Sequence, residues 1–175
     1  MVVCGSPRKG NSELVALKAK ELLEKKGVET ELVLLREKNI RPWHEGHENT
    51  KDDMGVLLEI FEKADAYLFV SPTFYGMPPG ILKNFIDRTD VFFGQQEKFH
   101  KKVASVVAIG ASPLGGGIEH NGECLRLFFR MFGVRNLDSL YLQGKDNAEE
   151  ILEDKNVKEK LPVLVEHLVS AAGRF

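Results

Sequence analysis

The chain has 175 residues, 43% hydrophobic and 29% charged, enough to bury the core of one ordinary domain. A formal net charge of −2 supplies no strong field towards nucleic acid or a membrane surface, and lacks the acidity of a dedicated electron carrier. No stretch approaches the roughly 20 apolar residues of a membrane span, and the two cysteines, Cys4 and Cys124, make neither a CxxC pair nor a disulfide framework.

The start of the chain has no charged segment followed by an apolar run of signal length. With so few cysteines, a reducing cytoplasm is the expected location. Residues 2–4 are a short apolar run before a glycine-rich turn and predict a first strand, barely long enough to be one. Over 12–26, Leu14, Val15, Leu17, Leu22 and Leu23 recur at helical spacing between Lys and Glu, and Gly27 ends the helix. Residues 29–35 alternate and predict a second strand. Residues 39–51 are polar, hold Pro42 and Gly46, and predict a loop; 52–63, with Met54, Leu57, Leu58 and Phe61 on one side, predict a helix.

The continuous apolar run at 66–70 has the pattern of a strand buried on both faces. Residues 71–79 form a loop broken by Pro72, Gly76, Pro78 and Pro79, and 80–89 a helix. A further buried strand is expected over 102–109, a second glycine-rich loop over 110–117, a helix over 118–132 and a last strand over 137–142. Residues 148–172 are mostly helical, with Pro162 starting a new helical piece or kinking the old one. The order βαβαβαβαβα predicts an α/β fold: a five-stranded parallel sheet, order 2-1-3-4-5, covered on both faces. Ligands of such sheets sit at the carboxyl ends of the strands, where the loops after strands one, three and four meet.

Those three loops have the unusual glycine and proline content. In Gly5 to Ser12, the glycines let the backbone curl at a helix start, whose free N–H groups and dipole favour an anion. Ser6, Asn11 and Ser12 add neutral donors, and Arg8 a planar cation suited to phosphate. Lys9 does the same or points to water. The spacing Gly5-x4-Gly10-Asn11-Ser12 nearly matches the nucleotide loop GxxxxGK[ST], but Asn11 stands where the lysine belongs, and Ser71-Pro72 ends the third strand without an acidic residue for Mg²⁺. A single terminal phosphate fits better than a triphosphate. No GxGxxG dinucleotide fingerprint is present. The plainer alternative is a turn with a polar helix cap.

The second loop, with Pro72, Thr73, Phe74, Tyr75 and Gly76, is stiff and aromatic. It offers an apolar wall to a flat tricyclic ring such as a flavin; the alternative is a pair of core aromatics at a strand end. In the third loop, Ala111, Gly115, Gly116 and Gly117 allow close backbone approach, with N–H groups placed to stabilise charge on a reduced ring, unless it is simply a flexible surface loop. His120 follows closely and either faces the site or is solvated.

The motifs Gly5-Ser6-Pro7-Arg8-Lys9-Gly10-Asn11-Ser12, Ser71-Pro72-Thr73-Phe74-Tyr75-Gly76 and Leu82-Lys83-Asn84-Phe85-Ile86-Asp87-Arg88, in this order, resemble the NADPH-dependent FMN reductase family of the flavodoxin-like superfamily, over residues 2 to 135. The resemblance implies a flavodoxin-like three-layer sandwich over 1–175, one FMN-binding domain. Ser6, Arg8, Asn11 and Ser12, with Lys9, would hold the FMN phosphate; residues 72–76, with Ala111 and 115–117, would flank the ring. Lys83, Asp87 and Arg88 would serve packing and ion pairing. The nearest branch is similar to the iron–sulfur flavoproteins, but the loop that carries clustered cysteines there reads here, over 40–54, without one. No iron–sulfur cluster is therefore expected. His44 and His47 in that loop, with nearby carboxylates, have metal-ligand chemistry, yet polar loops are ordinarily solvated and no metal ligand is assigned. Trp43 is placed to cover a flavin or a subunit contact. The first strand is shorter than family members usually show.

The expected activity is transfer of hydride from NAD(P)H to flavin N5, then of two electrons to a quinone, free flavin or similar small acceptor. That chemistry asks for orientation and water exclusion, so no catalytic side chain is assigned. Two readings stand beside it: an electron-transfer flavoprotein reduced by a protein partner, and a non-enzymatic member binding another phosphate-bearing ligand. The resemblance also implies a homodimer. The last helix, with Leu161, Val163, Leu164, Val165, Leu168 and Val169, is apolar enough for core or interface.

Overall fold

A computed structural model describes residues 1–111 and 116–173 of the chain. Strands β1 (Val2–Cys4), β2 (Leu32–Leu34), β3 (Ala66–Pro72), β4 (Val103–Gly110) and β5 (Arg135–Gln143) form one sheet in the order β2-β1-β3-β4-β5. Every pairing is parallel, as strands alternating with helices require. Helices α1 (Asn11–Lys25), α2 (Met54–Lys63), α3 (Gly80–Asp87) and α4 (Ile118–Met131) make the four crossovers, and α5 (Lys155–Ala172) follows the last strand.

The period-2 alternation of each strand sorts its side chains between two cores. Val2, Cys4, Leu68, Val70, Val103 and Val107 meet α1 and α5 through Val15, Ala19, Leu164, Val165 and Leu168. Val3, Tyr67, Phe69, Ala104 and Val106 face α2, α3 and α4. That second core is aromatic: Phe61 stacks on Tyr67 at 4.6 Å, and Phe69 meets Phe129 edge-on at 4.8 Å. The Tyr67 hydroxyl donates to the Phe61 carbonyl at 2.7 Å, so its polar tip is satisfied inside the core. Although only three residues long, β1 pairs on both sides, with β2 and β3, and all three of its residues are buried. Its interior place in the sheet, between β2 and β3, fixes the loop that follows it.

Several boundaries differ from the sequence expectation. β2 is shorter than 29–35, because Leu35 turns into the aromatic core in a 3₁₀ turn over Leu35–Glu37. β5 is longer than 137–142 and runs from Arg135 to Gln143. The final helical region breaks at Asp154, not at Pro162: a 3₁₀ turn covers Ala148–Glu153 and α5 continues through Pro162. The Asp154 carboxylate accepts from the Asn156 N–H at 2.9 Å and pairs with Lys145 at 2.9 Å, which caps the new helix. Lys145 holds that carboxyl below the ordinary Asp range. Leu161, Leu164, Val165 and Leu168 are core residues, whereas Val163 is exposed.

Candidate functional site

The loops after β1, β3 and β4 leave the carboxyl edge of the sheet side by side. The Gly5 N–H donates to the Val70 carbonyl at 2.9 Å, and the Thr73 N–H to the Ile109 carbonyl at 2.7 Å. The β5–α5 connection joins them, because the Gly144 N–H donates to the Gly110 carbonyl at 2.8 Å.

In the first loop, Ser6 is buried and its hydroxyl donates to the Arg8 carbonyl at 2.7 Å while accepting from the Arg8 N–H at 3.3 Å. It shapes the turn from inside. Arg8 and Lys9 are exposed. Gly10 lies at φ 149°, ψ −152°, a conformation that side chains beyond glycine scarcely adopt, and open space lies where its Cβ would be. The first bond of α1 runs from the Leu14 N–H to the Gly10 carbonyl, so the N–H groups of Asn11, Ser12 and Glu13 have no helical carbonyl to meet. Ser12 is buried in this first turn. The Asn11 side chain is engaged elsewhere: its amide donates to the Lys145 carbonyl at 2.9 Å, and its oxygen accepts from the Lys145 N–H at 3.0 Å. Asn11 brackets the first loop to the fourth, and what it offers the open side is its backbone N–H. Glu13, unfavourable to an anion, is held by Arg36 through contacts of 2.8 and 3.0 Å. The hydrogen bond from Arg36 keeps its carboxyl below the usual range. Burial pushes the Cys4 thiol up to about 11, so it stays protonated within the sheet.

The second loop is a tight hairpin. Phe74 and Met77 exchange both backbone hydrogen bonds at 3.0 Å, with Tyr75 at φ 53° and Gly76 at φ 77° between them. Two successive positive φ values make the turn type that suits right-twisted strands. A tyrosine in the left-handed region is strained, and here it stands fully exposed at the tip. Phe74 is 39% exposed, so neither aromatic is a core residue. Pro72 and Thr73 sit half-buried at the root.

The third loop closes against this hairpin. Gly117 lies at φ 84°, and a Cβ there would come within 2.5 Å of the Gly76 Cα. His120 Nδ1 lies 2.8 Å from the Gly76 carbonyl, so the ring, though exposed to solvent, rests on the hairpin. Ala111 and Gly116 are exposed at the rim; Gly115 lies outside the described residues.

Asn121 completes the site, and sequence reasoning missed it. Fully buried on α4, its amide nitrogen lies 2.9 Å from Thr73 Oγ1, 3.1 Å from the Pro72 carbonyl and 3.2 Å from Ser71 Oγ. Its signal was a polar residue within the apolar stripe Ile118, Gly122, Leu125.

The loop over 40–54 is organised by charge. Arg88, 3% exposed, pairs with Asp52, whose side chain is fully buried, at 2.7 Å, and also donates to the carbonyls of Arg41 and His47. Asp90 accepts from His47 at 2.9 Å and from Trp43 at 2.5 Å. Trp43 thus anchors this loop, with its ring 5.5 Å from that of His47. The ring nitrogens of His44 face Glu45 O and Thr50 Oγ1, and those of His47 face His44 O and Asp90. Among the described residues, no group of three His, Cys, Asp or Glu could hold a metal ion. Lys83 pairs with Asp87 at 2.5 Å, the ion pairing expected of that helix. A 610 Å³ recess lined by Met1, Leu23, Val28 and Leu168 lies at the opposite end of the strands and contains none of these residues. Among the described residues, no helix is long and apolar enough to cross a membrane.

The sequence model of the NADPH-dependent FMN reductase family matches residues 1–145. An iron-sulfur flavoprotein of Methanocaldococcus jannaschii is 32% identical over 123 residues, which are 65% of this chain and 63% of that protein. The chain thus spans a little under two thirds of that relative's length. Solved structures share the fold, RosB and FerB among them. RosB, with 8-demethyl-8-formylriboflavin-5'-phosphate bound, gives a TM-score of 0.81 at 19% identity, over 98% of this chain and 77% of that one. FerB, a flavoenzyme NAD(P)H:(acceptor) oxidoreductase from Paracoccus denitrificans, gives 0.79 at 20% identity, over 99% of this chain and 96% of that one.

Proposed function

We propose, because the chain belongs to the NADPH-dependent FMN reductase family, that it holds FMN at the carboxyl edge of its sheet and passes two electrons from NAD(P)H to a quinone, a free flavin or a similar small acceptor. The observation that supports this most is the convergence of an anion-favouring helix start with an exposed aromatic hairpin braced by Asn121.

The residues present fit the group. The N–H groups of Asn11, Ser12 and Glu13, with the guanidinium of Arg8 and the ammonium of Lys9, form a donor set for one phosphate. Gly10 leaves open space where any side chain would project. Residues 72–76, with Ala111 and 115–117, would flank the ring, and backbone N–H groups near Gly116 and Gly117 would favour negative charge on it. When bound, FMN supplies the redox chemistry, accepting hydride from the nicotinamide and giving two electrons to the acceptor. The chain's own work is to orient both partners and exclude water.

An iron–sulfur cluster does not fit. Cys4 is buried in the sheet with its thiol held protonated and Cys124 lies on α4, so this chain offers no set of four thiolates. The proposed assembly is a homodimer; the apolar side chains of Tyr75, Leu127 and Met131, exposed on the hairpin and α4, supply a surface for a second copy.

The test is retention and turnover. Protein mixed with FMN and desalted should stay yellow and oxidise NADH or NADPH steadily with a quinone present. Colourless protein would sink the flavin reading; bound flavin without turnover would transfer the role to electron transfer with a protein partner.

A further inference from the structure

Three soft or borderline ligands lie together between the hairpin and α4. His120 and Cys124 stand four residues apart on α4 and therefore share a face of the helix. Cys124 Sγ lies 4.0 Å from His120 Nε2 and 3.9 Å from Met77 Sδ. We propose that Met77, His120 and Cys124 form a binding site for copper(I).

The histidine is already prepared as a ligand. A carbonyl oxygen only accepts, so the 2.8 Å contact with Gly76 O places the proton on Nδ1. Neutral imidazole then carries its lone pair on Nε2, the nitrogen nearest the cysteine sulfur. A ring nitrogen donating to a backbone carbonyl while the other binds metal is the common support of a metal-ligating histidine. Met77 is held by both backbone bonds to Phe74 and the other two ligands stand on α4, so all three are carried by hydrogen-bonded backbone.

The ligand set selects the ion. Separations of 3.9 Å between the sulfurs and 4.0 Å from Cys124 Sγ to His120 Nε2 are short enough for one ion, with bonds of about 2.0–2.3 Å, to bridge Cys124 to either neighbour. Zinc takes thiolate, imidazole and carboxylate; the thioether of Met77, a soft sulfur ligand outside that set, favours copper(I). Met77 is 43% exposed, His120 exposed and Cys124 half-buried, so the ion has access from solvent. On binding, the sulfur–copper bond replaces the Cys124 S–H bond, the proton leaves to water, and copper remains +1. An ion there ties Met77, and with it the hairpin, to α4.

The experiment is an anaerobic titration of the purified protein against copper(I) held by a coloured chelator, with and without FMN present. Wild type should withdraw one copper per chain. Cys124→Ser should withdraw none, Cys4 being sealed in the sheet, and Met77→Leu and His120→Gln should each bind about tenfold or more weakly. X-ray absorption of the copper form should show two sulfur scatterers and one nitrogen. The proposal is overturned if wild type takes no more copper than Cys124→Ser, or if Met77→Leu and His120→Gln bind as tightly as wild type, which is the behaviour of a lone thiol. Because the readout is copper on the protein, its outcome is independent of whether FMN binds.

Discussion

The side-chain amide of Asn121 reaches the hydroxyl of Thr73 at 2.9 Å from a fully buried position on α4. The same nitrogen contacts the Pro72 carbonyl and Ser71 Oγ, so one residue braces the whole root of the aromatic hairpin. Asn121→Ala removes the donor and leaves these acceptors enclosed without it. The expected loss is about 1–3 kcal/mol of stability, read as a lower urea midpoint, together with weaker FMN retention. Unchanged flavin affinity at a lowered midpoint would confine Asn121 to a structural role.

Arg8 is exposed and contributes to the loop through backbone contacts with Ser6. Arg8→Ala should therefore leave thermal unfolding of the apoprotein unchanged. It should weaken FMN by about tenfold to a hundredfold, the equivalent of one charge-assisted contact of about 1.5–3 kcal/mol. Riboflavin, which has no phosphate, should bind wild type and variant alike; fluorescence quenching of each ligand measures both.

The buried pair of Arg88 and Asp52 holds the 40–54 loop. Burial works to raise the Asp52 pKa, but hydrogen bonds from Arg88 and from the N–H groups of Arg41 and Met54 outweigh it and leave the carboxyl below its ordinary value. A depressed folded-state pKa contributes stability that is present above the unfolded value of about 3.9 and is lost as pH falls through the folded value. Asp52→Asn should cost about 3–5 kcal/mol at neutral pH, because Arg88 stays buried without its counter-charge. Urea unfolding at a series of pH values should show the gap between wild type and variant narrowing below pH of about 4.

Gly117 touches Gly76 closely enough that Gly117→Ala would place a Cβ 2.5 Å from backbone, at a φ of 84°. The left-handed conformation alone costs about 1–2 kcal/mol, and the clash moves one loop off the other. The variant should lose stability and retain less FMN on desalting, while a control at Gly55, where a Cβ meets open space, should do neither.

The fold was legible because both of its signals are local. Continuous apolar runs such as 2–4 and 66–70, and helical spacing in the intervening segments, yield five parallel strands and their order. The three site loops were legible from their glycines, prolines and aromatics. What was hidden depends on partners distant in sequence. Asn11 reads as a phosphate donor until Lys145 takes its side chain. Asp154 starts the last helix as its cap, accepting from the Asn156 N–H and paired with Lys145, and Pro162, the residue that normally ends helices, does not end it. Asn121 lies in an apolar stripe whose one polar member finds its acceptors 48 to 50 residues away.

The most direct measurement is an anaerobic titration of the FMN-loaded protein with NADPH, and in parallel with NADH, followed by the flavin absorption bands. At least one nicotinamide should bleach the bound flavin with a one-to-one endpoint, and added quinone should restore the colour. Failure to hold FMN, or bound flavin that stays oxidised with excess of both nicotinamides, would contradict an NAD(P)H-dependent flavin reductase.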